Sequence, residues 1–357
     1  MPERVYSDCM LREISNPPNP WTSSDVEYLE DVPTATLKVF EDATREIVSK
    51  NDSPDVGFSY SVNPYRGCFH ACAYCYARPS HEYLGLGAGT DFDRMITVKP
   101  RAAELLKRTF DRSSWKGDTV MFSGITDCYQ PLEASYRLTR ACLEVCLAYR
   151  NPVGIITKSP IIERDLDLLS ELAKVTELWV SISIPIWDEA TARSIEPYVT
   201  TPRRRIGIIR RLAEAGISVG VNVAPLIPGV GEAGMVHILE AAAEAGARSA
   251  SLIYLRLPGS VKQVFEERIR EALPLRAEAI LKKVRRARGG ALYDSRFGER
   301  QRGQGEEANA AASLFESAVK RLGLEGNSME TRDYEAKVAS FRRPPSQPEE
   351  GDQLALF

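Results

Sequence analysis

What the chain lacks narrows its class first. Nowhere in its 357 residues is there an apolar run of about 18 residues, the length that a membrane-spanning helix needs, so no membrane partner is expected. No apolar stretch follows Met1-Pro2-Glu3-Arg4, and no secretory leader is read there. Cysteine is scarce: seven in a chain this long make no disulfide framework and suit a reducing, cytoplasmic setting. Strong charge of either sign is missing too. A formal net charge of -3 does not mark the whole molecule as a nucleic-acid binder, so any such surface must be local. With 43% hydrophobic residues the chain buries a full-sized core, as one large α/β domain with appendages or as two smaller domains.

What is there centres on Asn63-Pro64-Tyr65-Arg66-Gly67-Cys68-Phe69-His70-Ala71-Cys72-Ala73-Tyr74-Cys75-Tyr76. Cys68, Cys72 and Cys75 have the spacing C-x3-C-x2-C with no fourth cysteine nearby. A [4Fe–4S] cube takes four ligands, so three thiolates leave one iron open. That iron can chelate the amino and carboxylate groups of S-adenosylmethionine (SAM), whose reductive cleavage yields a 5′-deoxyadenosyl radical, while the protein binds, orients and shields. The competing reading is a structural zinc knot. It needs four protein ligands in paired clusters, and the one nearby candidate, His70, lies inside the first cysteine interval.

From Phe58 onward six short β-rich runs are predicted: Phe58–Asn63, Thr119–Ser123, Val153–Thr157, Leu178–Ile184, Val219–Ala224 and Ala250–Leu255. Amphipathic helices are predicted over Leu132–Tyr149, Ile161–Val175, Pro202–Ala215 and Met235–Ala245, the last two ending at Gly216 and Gly246. Alternating strand and helix imply parallel β/α units, and six units suit a partial, open (β/α)6 TIM-like barrel. Active sites of such barrels form at the C-terminal strand ends, and the cysteine motif directly follows the first strand. Residues 1–55 read as an N-terminal extension in which Lys38-Val39-Phe40 and Arg45–Val48 could add an edge strand or a helical turn. The core spans 56–275, a helical, basic extension 276–340, and a disordered, proline-rich tail 341–357.

The later strand ends supply candidates for SAM contact. Ser123, Gly124, Thr126 and Asp127 follow the second strand, where the glycine lets backbone approach a ligand and the hydroxyls and carboxylate can hold the methionine ammonium. Lys158 follows the third and can pair with the methionine carboxylate. Ser181 and Ser183 of the fourth offer hydroxyls for carboxylate or ribose, and Asn222 of the fifth can face adenine. Loop chemistry and strand-end capping are the plainer readings of each.

These motifs together resemble a known family. The N-P-Y-R-G-C opening, Thr126–Glu133, Thr157–Pro160, Thr201-Pro202 with Arg205, Ala215–Gly229 and Tyr293–Gly298 are similar to the spore photoproduct lyase-like radical SAM proteins, often called DNA repair photolyases. The resemblance runs from about residue 51 to 324. It implies Cys68, Cys72 and Cys75 as cluster ligands, Lys158 and Ser181 as partners of the SAM carboxylate, Tyr74 within the cofactor-binding set, and Tyr76 in hydrogen-atom relay. It also implies an electron donor such as flavodoxin or ferredoxin. One departure stands out. The family carries a hydrogen-donating cysteine just before its matching triplet, where this chain has Gly124-Ile125, which puts thymine-dimer reversal by the same relay in doubt. Cys128 is the candidate to stand in, against the plainer reading of a small core residue; Cys142 and Cys146 read as core.

Residues 276–302 carry a local excess of six positive charges, which suits a phosphate backbone or, more plainly, a solvated helix face. A closing helix is predicted over Ala308–Leu322. The segment Gln353-Leu354-Ala355-Leu356-Phe357 resembles the pentapeptide by which bacterial polymerases and repair proteins dock on the sliding clamp, which favours DNA. The expected function is a radical SAM enzyme, plausibly a repair lyase on nucleic acid. The alternatives are a radical SAM modifier of RNA or protein, and a non-catalytic iron–sulfur protein that binds nucleic acid.

Overall fold

Six parallel strands and the helices between them build the open barrel that the alternation predicts. The computed structural model describes residues 11–14, 37–325 and 340–345. Its strands are β1 Leu11–Ile14, β2 Lys38–Asp42, β3 Val48–Lys50, β4 Tyr60–Val62, β5 Tyr65–Arg66, β6 Met95–Val98, β7 Val120–Phe122, β8 Val153–Thr157, β9 Leu178–Ser183, β10 Ser218–Leu226 and β11 Ser249–Tyr254. The helices are α1 Thr90–Arg94, α2 Ala102–Asp111, α3 Glu133–Tyr136, α4 Leu138–Tyr149, α5 Leu166–Val175, α6 Glu189–Ile195, α7 Pro202–Glu214, α8 Glu232–Glu244, α9 Val261–Ala272, α10 Ala277–Arg286 and α11 Glu306–Leu322.

The larger sheet has the order β3-β4-β7-β8-β9-β10-β11, so the parallel strands follow one another in chain order. Among the described residues β4 and β11 do not pair with each other, and the barrel stays open. On the β4 side, β3 adds an antiparallel edge in register Val48↔Val62, which realises one reading of the N-terminal extension. On the other side, the Ala250 amide donates to the Leu324 carbonyl and the Tyr254 amide to the Gln301 carbonyl, covering the outer edge of β11. A smaller sheet, β1-β2-β6-β5, lies outside the barrel; its β2 contains Lys38-Val39-Phe40, one of the stretches read as a possible edge strand, while its other strands carry no such reading.

Alternation along the strands separates fold from function. Val120, Phe122, Val153, Ile155, Val180, Ile182, Val219, Val221 and Val223 pack outward into one core with Leu106, Leu143, Leu169, Ile208 and Leu239 of the covering helices. Each such side chain contributes about 1.5–3 kcal/mol on burial, so this ridge carries the stability. The alternate positions, including Ser61, Ser181, Ser183, Asn222 and Ser251, therefore point into the barrel. There Ser251 Oγ donates to Asn222 Oδ1 at 2.7 Å. Beneath this polar layer Gly154 and Gly220 leave room that a Cβ would deny: it would come within 2.7 Å of Trp179 and 2.3 Å of Ser249 respectively.

Two predicted helices differ in the structure. The stretch predicted as one helix over 132–149 is broken into α3 and α4 by Arg137, whose φ is 53°. The cause is Glu133, whose buried carboxylate accepts from the Thr139 amide at 2.9 Å and the Arg140 amide at 3.2 Å, so that α4 starts afresh on it. The stretch over 161–175 opens as a 3-10 turn, Pro160–Asp165, before α5, with Ser159 Oγ accepting from the Ile161 amide. Gly216 and Gly246 do end α7 and α8 with φ of 77° and 94°. α11 packs onto α8 and β11, its Ala308, Ala311 and Ala318 joining the main core. Of the tail expected to be disordered, residues 341–345 instead pack on the core, the Arg342 amide donating to the Tyr149 carbonyl at 2.9 Å and Arg343 Nε to the Phe110 carbonyl at 3.0 Å, while the pentapeptide at 353–357 lies outside the described residues.

Candidate active site

The cysteine loop hangs from the C-terminal end of β4 and is fixed at many points. Gly67 has φ 76°, and a Cβ there would meet the His81 ring at 2.8 Å and the Phe92 carbonyl at 2.9 Å. Its carbonyl accepts from Thr126 Oγ1 at 2.6 Å and Gln130 Nε2 at 3.1 Å. The Cys68 amide donates to the Phe92 carbonyl at 3.0 Å, and the Ala73 amide to the Ile195 carbonyl at 3.0 Å. Cys68 and Cys72 are buried, Cys75 is half-buried, and none forms a disulfide. Cys75 packs against the apolar group that holds Cys68 and also against the one that holds Cys72, so the three thiols converge.

Burial first, and then Glu196, push the Cys72 thiol well up; burial likewise pushes Cys75 up to about 11, against the opposing pull of Arg78 and Lys158. Such thiols stay protonated unless a metal group takes their charge. Among the described residues no group of side chains closes around a single metal ion. Three free, converging thiols, with no fourth cysteine on the loop, are the donor set that a [4Fe–4S] cube with one open iron requires.

The strand-end residues divide into those that line the site and those that brace it. Lys158, at the end of β8, has its amide fixed on Asp127 at 2.8 Å while its ammonium lies 5.9 Å from the centre of the Tyr74 ring. Ser181, Ser183 and Asn222 sit on the inner face as expected. Asp127 departs from expectation. Its carboxylate accepts from the Tyr129 amide at 2.9 Å, Thr157 Oγ1 at 2.7 Å and the Lys158 amide at 2.8 Å, and His70 Nδ1 stands 3.4 Å away. Both oxygens are engaged, so Asp127 straps β7, β8 and the cysteine loop together instead of offering an open acceptor. Thr126 is likewise spent on Gly67. Ser123 has φ 84° and accepts from the Cys128 amide, and Gly124 turns its carbonyl to Tyr76.

Tyr76 is 48% exposed at the mouth, its hydroxyl donating to the Gly124 carbonyl at 2.9 Å and its ring 5.4 Å from the Arg256 guanidinium. Cys128 is fully buried in the main core, and burial pushes its thiol well up. The plainer reading of it holds, and the structure withdraws it from the catalytic set. Tyr74 is buried with its hydroxyl bonded to Glu196.

Four contributors were not legible from residue type. Glu196 is paired with Arg205 at 2.6 Å, and Arg205 also donates to the Ser183 carbonyl at 2.8 Å, joining the loop to β9 through Tyr74. Arg78 donates to the Cys72 carbonyl at 2.8 Å. His70 was weighed as a metal ligand alone. Burial would lower its pKa, but the neighbouring Cys68 and Asp127 outweigh that and push it up to about 10.

The basic tract is more neutral than its composition suggests. Lys283 and Arg286 pair with Glu307, Arg285 with Glu266, Arg296 with Asp294 and Arg300 with Asp55. Arg288 is buried and donates to the Leu255 carbonyl at 2.6 Å. Three carboxylates from outside the tract, Glu307, Glu266 and Asp55, therefore match half of the expected excess of six.

Comparison with known proteins places this site. The model of the radical SAM superfamily matches residues 62–242, half of the chain, including all three cysteines. The chain belongs to the radical SAM superfamily. Members generally bind a [4Fe–4S] cluster and SAM. An uncharacterized protein of Mycobacterium tuberculosis is 38% identical over 210 residues, covering 58% of this chain and 62% of the relative. One of Methanocaldococcus jannaschii is 29% identical over 172 residues, covering 48% and 62%. The matches thus span about three-fifths of the length of these relatives. Among solved structures, spore photoproduct lyase complexed with dinucleoside spore photoproduct aligns with a TM-score of 0.55 at 17% identity, covering 80% of this chain and 79% of that one. A variant of that lyase with bound AdoMet and dinucleoside spore photoproduct gives 0.53 at 18%, covering 76% of each. At these identities the likeness is one of fold.

Proposed function

We propose that this chain is a radical SAM enzyme in which Cys68, Cys72 and Cys75 hold a [4Fe–4S] cluster and the substrate is a nucleic acid, with DNA lesion repair as the favoured reaction. The single observation that carries the reading is the convergence of three free thiols below Lys158 and the half-exposed Tyr76 at the strand ends. When bound, the cluster supplies one electron to SAM and so opens radical chemistry. The residues of the chain supply the rest. Lys158 gives a cation for the SAM carboxylate, a charged hydrogen bond worth roughly 1.5–3 kcal/mol. Ser181, Ser183 and Asn222 offer polar partners for the rest of the nucleoside inside the barrel. Tyr76 stands between that interior and solvent, where a hydroxyl held on the Gly124 carbonyl can pass a hydrogen atom.

DNA is supported by the lesion named in the related lyase structures and by the pentapeptide at 353–357, read as a sliding-clamp ligand. Gly124-Ile125 in place of a cysteine favours a second reading, a radical SAM modifier of RNA or protein, and the partly matched charge of the basic tract favours protein within it. Anaerobic reconstitution and reduction with SAM tests the enzyme reading: 5′-deoxyadenosine must form, and must vanish in the triple Cys→Ala protein. Deuterium exchange between labelled SAM and DNA, RNA or protein then separates the substrates.

A further inference from the structure

The family match ends at residue 242, yet the cysteine loop is held by a residue beyond it. Arg268 lies on α9. Its Nη1 donates to the Ala71 carbonyl at 2.8 Å, and its Nη2 is bonded to Asp93. The other oxygen of Asp93 accepts from Arg78 Nη2 at 2.9 Å. Arg78, wholly buried, also gives its Nε and Nη2 to the Cys72 carbonyl at 3.2 and 2.8 Å and its Nη1 to the carbonyls of Ala88 and Gly89 at 3.0 Å. One buried carboxylate thus carries two guanidiniums, and these grip two successive carbonyls between Cys68 and Cys75.

Ala71 is the residue that needs gripping. Its φ of 55° is left-handed, a conformation that costs any residue with a Cβ. Its amide is turned to the Cys68 carbonyl at 3.2 Å, and the Arg268 bond fixes its carbonyl. Relaxing Ala71 to negative φ would swing the following peptide and take Cys72 away from Cys68. The charges matter as well. Two guanidiniums against one carboxylate leave a net positive charge beneath the loop.

We infer that Arg268, through Asp93 and together with Arg78, is a positioning residue that keeps the cysteine loop in its metal-binding conformation. The family match therefore does not contain the whole of the site: α9 completes it. The inference rests on the assignment of Cys68, Cys72 and Cys75 as cluster ligands.

The test uses full-length protein, reconstituted anaerobically with iron and sulfide. Iron content and the rate of iron loss to a chelator are followed for wild type, Arg268→Met and Arg268→Lys, alongside thermal unfolding of each metal-free form. Arg268→Met is expected to unfold near the wild-type temperature, because Arg78 still neutralises Asp93. It should lose iron on the order of ten- to a hundred-fold faster, the effect of removing one charged hydrogen bond. Arg268→Lys, which keeps a cation beside Asp93 but cannot reach both partners, should fall between the two. If Arg268→Met does not fold, the lysine variant alone carries the comparison. Iron loss at the wild-type rate overturns the inference. So does a metal-free form that melts far below wild type in both variants, since the arginine then holds α9 and not the loop. Wild-type protein that takes up no iron fails the cysteine assignment instead, which keeps the two failures apart.

Discussion

Lys158 and Tyr76 are held at one end and act at the other, and this makes their substitutions informative. The Lys158 backbone is tied to Asp127, so Lys158→Ala removes the ammonium without disturbing the strap. SAM affinity measured by titration calorimetry on reconstituted protein should fall at least about tenfold, as loss of a charged hydrogen bond dictates, with iron content unchanged. Equal affinity would remove the lysine from the SAM site. Tyr76→Phe keeps the ring beneath Arg256 and loses only the bond to Gly124. Cluster and SAM affinity should be retained while product formation drops; unaltered turnover would end the relay assignment. Cys128 lies near the vacated cysteine position in sequence, but proximity along the chain is a poor guide in the turn that follows β7, where the backbone folds back toward the core. Its side chain points into the core.

Between elements, two features make separate predictions. Arg150 ends α4 in the left-handed region with φ 48°. Arg150→Gly should raise stability by about 1 kcal/mol in urea unfolding, the strain that a Cβ brings there; a decrease would mean that the arginine's own contacts outweigh the strain. Asp55 accepts from the Gly298 amide at 2.6 Å and pairs with Arg300. Burial alone would raise its pKa, but these two bonds more than offset it and hold the carboxyl below the ordinary aspartate value. A lowered folded-state pKa means a contribution present above the unfolded value and lost as pH falls through the folded one. Hydrogen exchange at the Gly298 amide, after correction for intrinsic rates, should therefore lose protection on acidification, and a flat profile in Asp55→Asn should accompany it. Protection independent of both would show that Asp55 does not hold the segment. The strands of the barrel were legible because their outward positions carry Val, Ile and Phe in a regular alternation. α2 and α9 escaped because charged residues dominate their exposed faces, and the small outer sheet because its β2 and β6 lie far apart in sequence. The cluster ligands announced themselves by spacing. Arg78, Glu196 and Arg268 did not, since buried groups that close on backbone carbonyls or on an ion-pair partner have no local signature, and Arg205 showed only as part of a family motif.

On the scale of the molecule, the pentapeptide at 353–357 is the one segment whose role is argued wholly from sequence. A peptide of those residues should bind the bacterial sliding clamp, and the protein lacking them should not. Equal binding of both proteins would sink the proposal and weaken the case for DNA with it. The unclosed sheet has its own consequence. In a sealed cylinder the circumference is set by strand number and stagger, and the lumen has one size. Here the sheet ends on two margins, β3 and β11, and side chains such as Asp55 and Arg300 join the segments beside them instead of a ladder. Strand number and stagger therefore do not by themselves fix the bore of the lumen, and the side chains that join the segments beside its margins share in setting it.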